Sequence, residues 1–225
     1  MKIIGHRGAA GLKTENTVES IKKAIELGVD GVEFDVWTSK DGVPVLLHNS
    51  SVVLPDGRRE QVFNLTLKEI KSVSLPGNCQ IPTLAEAVAA CAKKPIILDV
   101  KDFYLSKGLL RAVSDLGNRD VTVSSFNHHV LAELQKKARH LKIFATTNFH
   151  PLHTVRFAAR NGFDGVAMDW KVFSLPVYWY ARRRKLELLL FTVNSNSFMK
   201  FLKRFNIQVG ITTNFPDRAK KLFNN

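Results

Sequence analysis

The sequence has little of what usually settles a protein's class at once. It holds two cysteines in 225 residues. Cys79 lies in a loop-like stretch and Cys91 in a helix-like one, without Cys-x-x-Cys or metal-type spacing, so neither a disulfide framework nor a thiolate zinc site organises the chain. No stretch of about 18 apolar residues occurs, which removes a transmembrane helix. Met1 runs directly into a strand-like segment with no charged leader and apolar h-region, so the chain reads as cytoplasmic, provided no leader has been removed from it. There is no low-complexity tract, and no repeat with a period of roughly 20–50 residues beyond the strand-helix alternation described below. Nucleic-acid binding lacks a supporting motif, with neither an aromatic platform on a sheet nor a recognition helix.

What is present is an ordinary globular composition, 45% apolar and 24% charged, with enough apolar residues for a sizeable core. Lys and Arg exceed Asp and Glu by 13, which favours polyanions, anionic membrane surfaces or phosphate-bearing substrates. The basic residues look scattered, with one tight run at Arg182, Arg183, Arg184 and Lys185, and read mainly as a solvated surface.

Short apolar, β-branched runs alternate with helix-like segments along nearly the whole chain, as βαβ units of a parallel sheet require. Eight such runs stand out: Ile3–Gly5, Gly31–Val36, Pro95–Val100, Val121–Ser125, Lys142–Thr146, Gly165–Asp169, Leu186–Val193 and Gly210–Thr213. Eight is the number that closes a TIM-type (β/α)8 barrel, and about 200–250 residues is the usual size of one, so residues 1–225 are read as one barrel domain. Val18, Ile21, Ala24 and Ile25 have helical spacing, and Asn16 with Glu19 predicts a capping box at that helix's start. Asp41-Gly42 predicts a two-residue turn leading into an extra strand, Val43–Leu47. The stretch from Asn49 to Ile81 is too long for an ordinary connection and offers one short helix candidate, Leu67–Ser72; such excursions are often functional.

Strands of a closed parallel barrel are nearly continuous apolar runs, so charges inside them are informative. Glu33 and Asp35 interrupt the second strand two positions apart and therefore point the same way, toward the barrel interior or mouth. Asp99 and Lys101 repeat the spacing on the third strand. Three buried carboxylates are costly unless neutralised. A hard divalent cation, Mg²⁺, Ca²⁺ or Mn²⁺, suits oxygen ligands, with salt bridges to Lys101, Arg7 or Lys40 as the structural alternative. His6 ends the first strand and His48 closes the extra one, both at the mouth that carries active sites in this architecture. Two histidines can serve as general base and general acid, while Arg7 offers a fork and Lys101 a point charge for phosphate oxygens. The set describes a site for displacement at phosphorus. Trp170 and Asn194, at the ends of the sixth and seventh strands, are further candidates to meet substrate, with packing as the equal alternative for Trp170 and structuring of the mouth as the alternative for Asn194. His128, His129, His150 and His153 read as surface or capping residues.

These residues carry a resemblance. Gly5-His6-Arg7-Gly8, Glu15-Asn16-Thr17, Gly31-Val32-Glu33-Phe34-Asp35-Val36 and His48 strongly resemble the glycerophosphodiester phosphodiesterase family. Ile81-Pro82-Thr83-Leu84, Ser125-Phe126-Asn127, Thr192-Val193-Asn194 and Gly210-Ile211-Thr212-Thr213-Asn214 look like its later landmarks, in order, so the likeness covers essentially the whole chain. It implies a TIM barrel with a small insertion after the second strand, and hydrolysis of a glycerophosphodiester to glycerol 3-phosphate and an alcohol. It also implies acid-base roles for His6 and His48, one divalent cation on Glu33, Asp35 and Asp99, and phosphate contacts from Arg7 and Lys101. Five positions depart from the family's usual pattern: Asn49 and Asn214 stand where Asp is frequent, Asp99 for Glu, Phe191 for Trp and Thr14 for Pro. The Asp99-x-Lys101 spacing also resembles sphingomyelinase D-like lipases, which implies a lysophospholipase D activity as the alternative. The segment Phe173–Lys185 is read as a barrel helix, or else as an anchor for transient membrane-surface contact. A non-catalytic phosphate- or polyanion-binding barrel is the remaining reading, disfavoured because every catalytic position keeps a competent side chain.

Overall fold

In a strand buried on both faces, alternate side chains serve two different layers. That alternation builds this molecule. The computed structural model describes residues 1–224. Its main strands are β1 (Lys2–His6), β2 (Gly31–Thr38), β3 (Ile96–Val100), β4 (Val121–Ser125), β5 (Lys142–Thr147), β6 (Gly165–Asp169), β7 (Glu187–Phe191) and β8 (Gly210–Thr213). Each pairs in parallel with the next, and β1 pairs with both β2 and β8, so the sheet closes on itself. Helices α1 (Val18–Glu26), α2 (Leu84–Ala90), α3 (Lys107–Ser114), α4 (His128–Lys137), α5 (Pro151–Asn161), α6 (Leu175–Arg183), α7 (Asn196–Arg204) and α8 (Pro216–Asn224) follow the strands in turn. The fold is a TIM-type (β/α)8 barrel.

Outward-facing Val32, Phe34 and Val36 of β2, with Ile96, Leu98 and Val100 of β3, join the large core between barrel and helices. Inward-facing Ile4, Ile97, Phe144, Ala167 and Leu189 form a separate plug inside the barrel. Gly165 makes room for that plug, since a Cβ there would lie 2.6 Å from the Phe144 ring. Ile4 and Ile97 each sit two residues before a polar inward position, His6 and Asp99. The polar layer therefore rests directly on the apolar plug, toward the C-terminal ends of the strands, where TIM barrels carry their sites.

Three local expectations change. Helix α1 is capped by Thr17, whose hydroxyl accepts the Ser20 N–H, and not by Asn16. Asn16 has a left-handed backbone with φ 55° and turns its side chain elsewhere. The extra strand is Pro44–Leu46, antiparallel to the end of β2, but the connection runs from Ser39 to Val43 and is longer than the two-residue turn expected. The excursion after it holds more structure than one helix: ribbons Ser51–Val53 with Arg59–Gln61 and Ser74–Leu75 with Cys79–Gln80, besides the helix Leu67–Lys71. It folds around a core of its own, with Val52, Val62, Ile70 and Ile81 packed on Trp37 and Val45. Strands this short carry too few residues to show a period.

Phe34 is fully buried between barrel and helices, and Phe34→Ala leaves a cavity where the ring was. We expect a loss of about 3–5 kcal/mol, read as a lower urea midpoint. An unchanged midpoint would contradict this layer assignment.

Candidate active site

The first turn of the site is set by an unusual pair of backbone angles. Arg7 has φ 49° and Gly8 φ 84°, and a Cβ on Gly8 would meet Ser20 at 2.4 Å, so only glycine fits there. The turn brings the Arg7 N–H to Glu33 Oε2 at 3.0 Å and the Gly8 N–H to the Glu33 carbonyl at 3.3 Å. The Arg7 side chain then folds back. Its Nη1 donates to Glu15 at 2.8 Å, and its Nε lies 2.9 Å from Asp35 Oδ2, an ion pair outside hydrogen-bond alignment.

Asn16, buried and freed from capping, donates to Asp35 Oδ2 at 2.9 Å and accepts the Asp35 N–H at 3.1 Å. It holds Asp35 by two bonds, one to the carboxylate and one from the backbone N–H, a role the sequence reading missed. The signal was present in Glu15-Asn16-Thr17, one residue off the cap. Lys101 Nζ lies 2.9 Å from Asp35 Oδ1 and also donates to Asp99. Ser124 donates to Asp99 Oδ1 at 3.2 Å. Lys40, the other candidate partner for the acids, is exposed and pairs with none of them among the described residues.

The salt-bridge reading of the acids is thus realised, yet it is incomplete. Glu33, Asp35 and Asp99 offer oxygens within 4.8 Å of one another, while among the described residues Arg7 and Lys101 alone supply them with fixed positive charge. Among the described residues Glu33 has no Lys or Arg at ion-pair distance. Burial first, then Asp35 and Asp99, push its carboxyl well above the usual range. Burial also raises Asp99. Asp35 goes the other way: burial pushes it up, but Lys101, Arg7 and the hydrogen bond from Asn16 together hold it below the usual range. Three hard oxygen donors that need one more positive charge fit a divalent cation such as Mg²⁺, Ca²⁺ or Mn²⁺.

Both histidines line the same cavity of about 370 Å³, together with Arg7, Lys101 and the three acids. His6 Nδ1 lies 2.6 Å from Asn214 Oδ1, and its Nε2 lies 3.3 Å from Thr192 Oγ1 and 4.0 Å from Glu33. The amide oxygen can only accept, so Nδ1 carries the proton and Nε2 presents a lone pair to the cavity. Burial, then Arg7, bring the His6 pKa down to about 4. His48 stands exposed at the rim. Its Nδ1 lies 3.2 Å from Asn49 Oδ1, and its carbonyl accepts from Trp37 Nε1 at 3.3 Å. Asn49 therefore keeps an acceptor beside His48, although it brings no charge.

Trp170 lines the cavity wall and packs on Phe198 at 4.8 Å. Asn194 does not line the cavity among the described residues. Its Oδ1 accepts from the Asn214 N–H at 2.9 Å and the Thr213 hydroxyl at 3.1 Å, so it braces the loop that holds His6. Phe126, Lys171, Phe191 and Thr192 also line the wall; none stood among the sequence candidates for the site. The histidines read as surface or capping residues stay outside the cavity, His128 stacked on Phe157 and His150 at the start of α5.

Known proteins share this arrangement of elements. A glycerophosphodiester phosphodiesterase of Caldanaerobacter subterraneus subsp. tengcongensis is 33% identical over 156 residues, which are 63% of this chain and 64% of that one. The chain thus spans just under two thirds of that relative. A glycerophosphodiester phosphodiesterase of Bacillus altitudinis is 27% identical, covering 98% of this chain and 97% of the relative. The crystal structure of the Thermotoga maritima glycerophosphodiester phosphodiesterase superposes with a TM-score of 0.81 at 25% identity, covering 98% and 97% of the two chains. An Oleispira antarctica phosphodiesterase, solved with the product sn-glycerol-3-phosphate, shares the fold with a TM-score of 0.87 at 22% identity, covering 100% and 97%. The model of the glycerophosphoryl diester phosphodiesterase family matches residues 6–218, from the first cavity histidine into α8, and the chain belongs to that family.

Proposed function

We propose that this protein hydrolyses glycerophosphodiesters to glycerol 3-phosphate and an alcohol. One observation carries the reading: a single cavity at the barrel mouth gathers two histidines, two fixed cations and an under-neutralised carboxylate triad. The named activity of the relatives, and the product held by the Oleispira structure, support the same substrate class.

Glu33, Asp35 and Asp99 would hold the divalent cation, which when bound supplies charge to offset the phosphoryl oxygens. Arg7 and Lys101 add positive charge on the same side and stay fixed by Asp35, so little reorganisation accompanies the charge that develops at phosphorus. His6 is neutral at physiological pH and accepts the proton of the attacking oxygen at Nε2. Asn214 keeps that ring in one tautomer, and Asn194 keeps Asn214 in place. His48, at the solvent-exposed rim, delivers the proton to the departing alcohol.

An acylated substrate, the lysophospholipase D reading, draws on a separate observation. Phe103 and Tyr104 lie two and three residues after Lys101 and are 67% and 73% exposed, with the Phe103 ring against Trp37 and Phe63. An acyl chain leaving the cavity would find apolar surface there. Preference for lysophosphatidylcholine over glycerophosphocholine would select this reading.

The purified protein should release glycerol 3-phosphate from glycerophosphocholine with Mg²⁺, Ca²⁺ or Mn²⁺ and lose that activity in chelator. His48→Ala and Glu33→Ala should each fall by about 10²–10⁴ in kcat/KM. An inert wild type with every cation, on both substrates, would leave the non-catalytic phosphate-binding barrel as the surviving account.

Stability gives an independent readout. Because the folded state holds the Glu33 proton more tightly than the unfolded state does, its contribution falls as pH rises above the ordinary glutamate range of about 4.5. His6 acts oppositely, adding stability as pH rises from about 4 to about 6.5. At pH 8 in chelator the Glu33 deficit is larger than at pH 5, so Glu33→Gln should melt higher than wild type at pH 8. The same variant should lose the cation-induced rise in melting temperature, a rise that in wild type should be larger at pH 8 than at pH 5. Equal melting in chelator, or an undiminished cation response in Glu33→Gln, would contradict the charge account.

A further inference from the structure

The positive charge that looks scattered along the sequence is strongly polarised. Residues 1–133 hold 16 Lys or Arg and 16 Asp or Glu, whereas residues 134–225 hold 17 and four. The whole excess therefore lies from the end of α4 onward. Its four acids sit off the next three helices. Asp164 accepts the Ile143 N–H, Asp169 accepts the Lys171 N–H, Glu187 faces Lys2 and Lys142, and Asp217 opens α8.

Helices α5, α6 and α7 consequently carry no Asp or Glu along their lengths. Arg156 and Arg160 are exposed on α5, Arg182, Arg183 and Arg184 at the end of α6, and Lys200 and Arg204 on α7. The guanidinium of Arg156, from α5, lies 5.9 Å from the centre of the Tyr180 ring on α6, and that of Arg184 lies 5.3 Å away. The Phe173 ring before α6 packs on Phe198 of α7 at 5.9 Å. The three helices thus form one continuous wall.

That wall also shows apolar groups. Helix α6 buries Val177, Tyr178 and Ala181 but leaves Trp179 59% exposed. At the mouth-side edge, Phe149 is 79% exposed, with Leu152 and Leu175 exposed beside it. A face kept only for solubility mixes both signs and avoids large apolar groups. A cationic face without acids, bearing Trp and Leu, has the composition of helices that lie in a membrane interface.

We propose that the α5–α6–α7 wall docks on an anionic phospholipid surface. Trp179, Phe149 and Leu175 enter the boundary between headgroups and acyl chains, and the arginines pair with lipid phosphates. No helix among the described residues is long and apolar enough to cross a membrane, so the contact is peripheral. Phe149 and Leu175 follow the mouth ends of β5 and β6, which sets the cavity rim beside the surface. The choice of lipid over nucleic acid rests on the apolar groups, for which a phosphate backbone offers no partner.

Flotation with vesicles of phosphatidylcholine alone or with one quarter phosphatidylglycerol tests this at about 0.1 M salt. Binding should require the anionic lipid and shift tryptophan emission to the blue. Arg182→Glu, Arg183→Glu and Arg184→Glu together should lower the partition coefficient by at least about tenfold. Lys22→Glu, Lys68→Glu and Lys93→Glu together change net charge equally on other faces and should leave most of the binding. Trp179→Phe should keep binding and lose most of the blue shift, a readout that survives even if the triple arginine variant folds poorly. The proposal is overturned by equal binding to both vesicle types, by equal loss in both triple variants, or by tighter binding to a DNA duplex or single-stranded RNA than to vesicles at that salt.

Discussion

Three carboxylates held at the ends of two adjacent strands, with two fixed cations to share, are the constraint on which the rest of this site depends. Buried charge is tolerated only when paired and hydrogen-bonded, and five side-chain contacts at the cavity answer that demand for Asp35 or Asp99. Asn16, Arg7 and Lys101 converge on Asp35, and Lys101 and Ser124 on Asp99. Among the described residues the Glu33 carboxylate accepts a backbone N–H from Arg7 and faces the neutral His6 ring at 4.0 Å, with no Lys or Arg paired to it, so its charge is unmet. The strands beside Glu33 do not relieve this, because it lies in register with Ile97 of the apolar plug on one side and with His6 on the other. Relief has to come from a proton or from an ion.

The same economy shapes the histidines. Each ring has its Nδ1 beside an asparagine oxygen, Asn214 for His6 and Asn49 for His48, at two positions where the family often has aspartate. An amide orients the ring as well as a carboxylate does but adds no negative charge to stabilise an imidazolium. Around His6, where Arg7 and burial already disfavour the cation, the result is a ring locked neutral with its free nitrogen toward the cavity. A further acid there would have met a cluster already short of positive charge.

How much of this could be read in the sequence follows from what each residue's neighbours along the chain reveal. The barrel strands were legible because parallel strands are unbroken apolar runs, and Glu33, Asp35 and Asp99 were legible because they break such runs. Asn16 was misread as a helix cap, and Asn194 was left open between meeting substrate and structuring the mouth. An amide at the end of an element can cap a helix, meet a ligand or brace a loop, and only the path of the chain through Arg7-Gly8 or Thr213-Asn214 decides which. The insertion's ribbons are too short to show a period, and their core forms against Trp37 and Val45 from a different segment. The charge polarity was open to counting, but its meaning depends on three helices lying side by side around a closed barrel.

The measurement that bears most directly on the central claim is calorimetric titration of the metal-free protein with Mn²⁺ in two buffers of different ionisation enthalpy. The account predicts one ion per chain, with protons released at pH 6 as Glu33 gives up its own, and neither binding nor release in Glu33→Gln. Absence of binding, or binding that releases no proton at pH 6 and survives in Glu33→Gln, would contradict it.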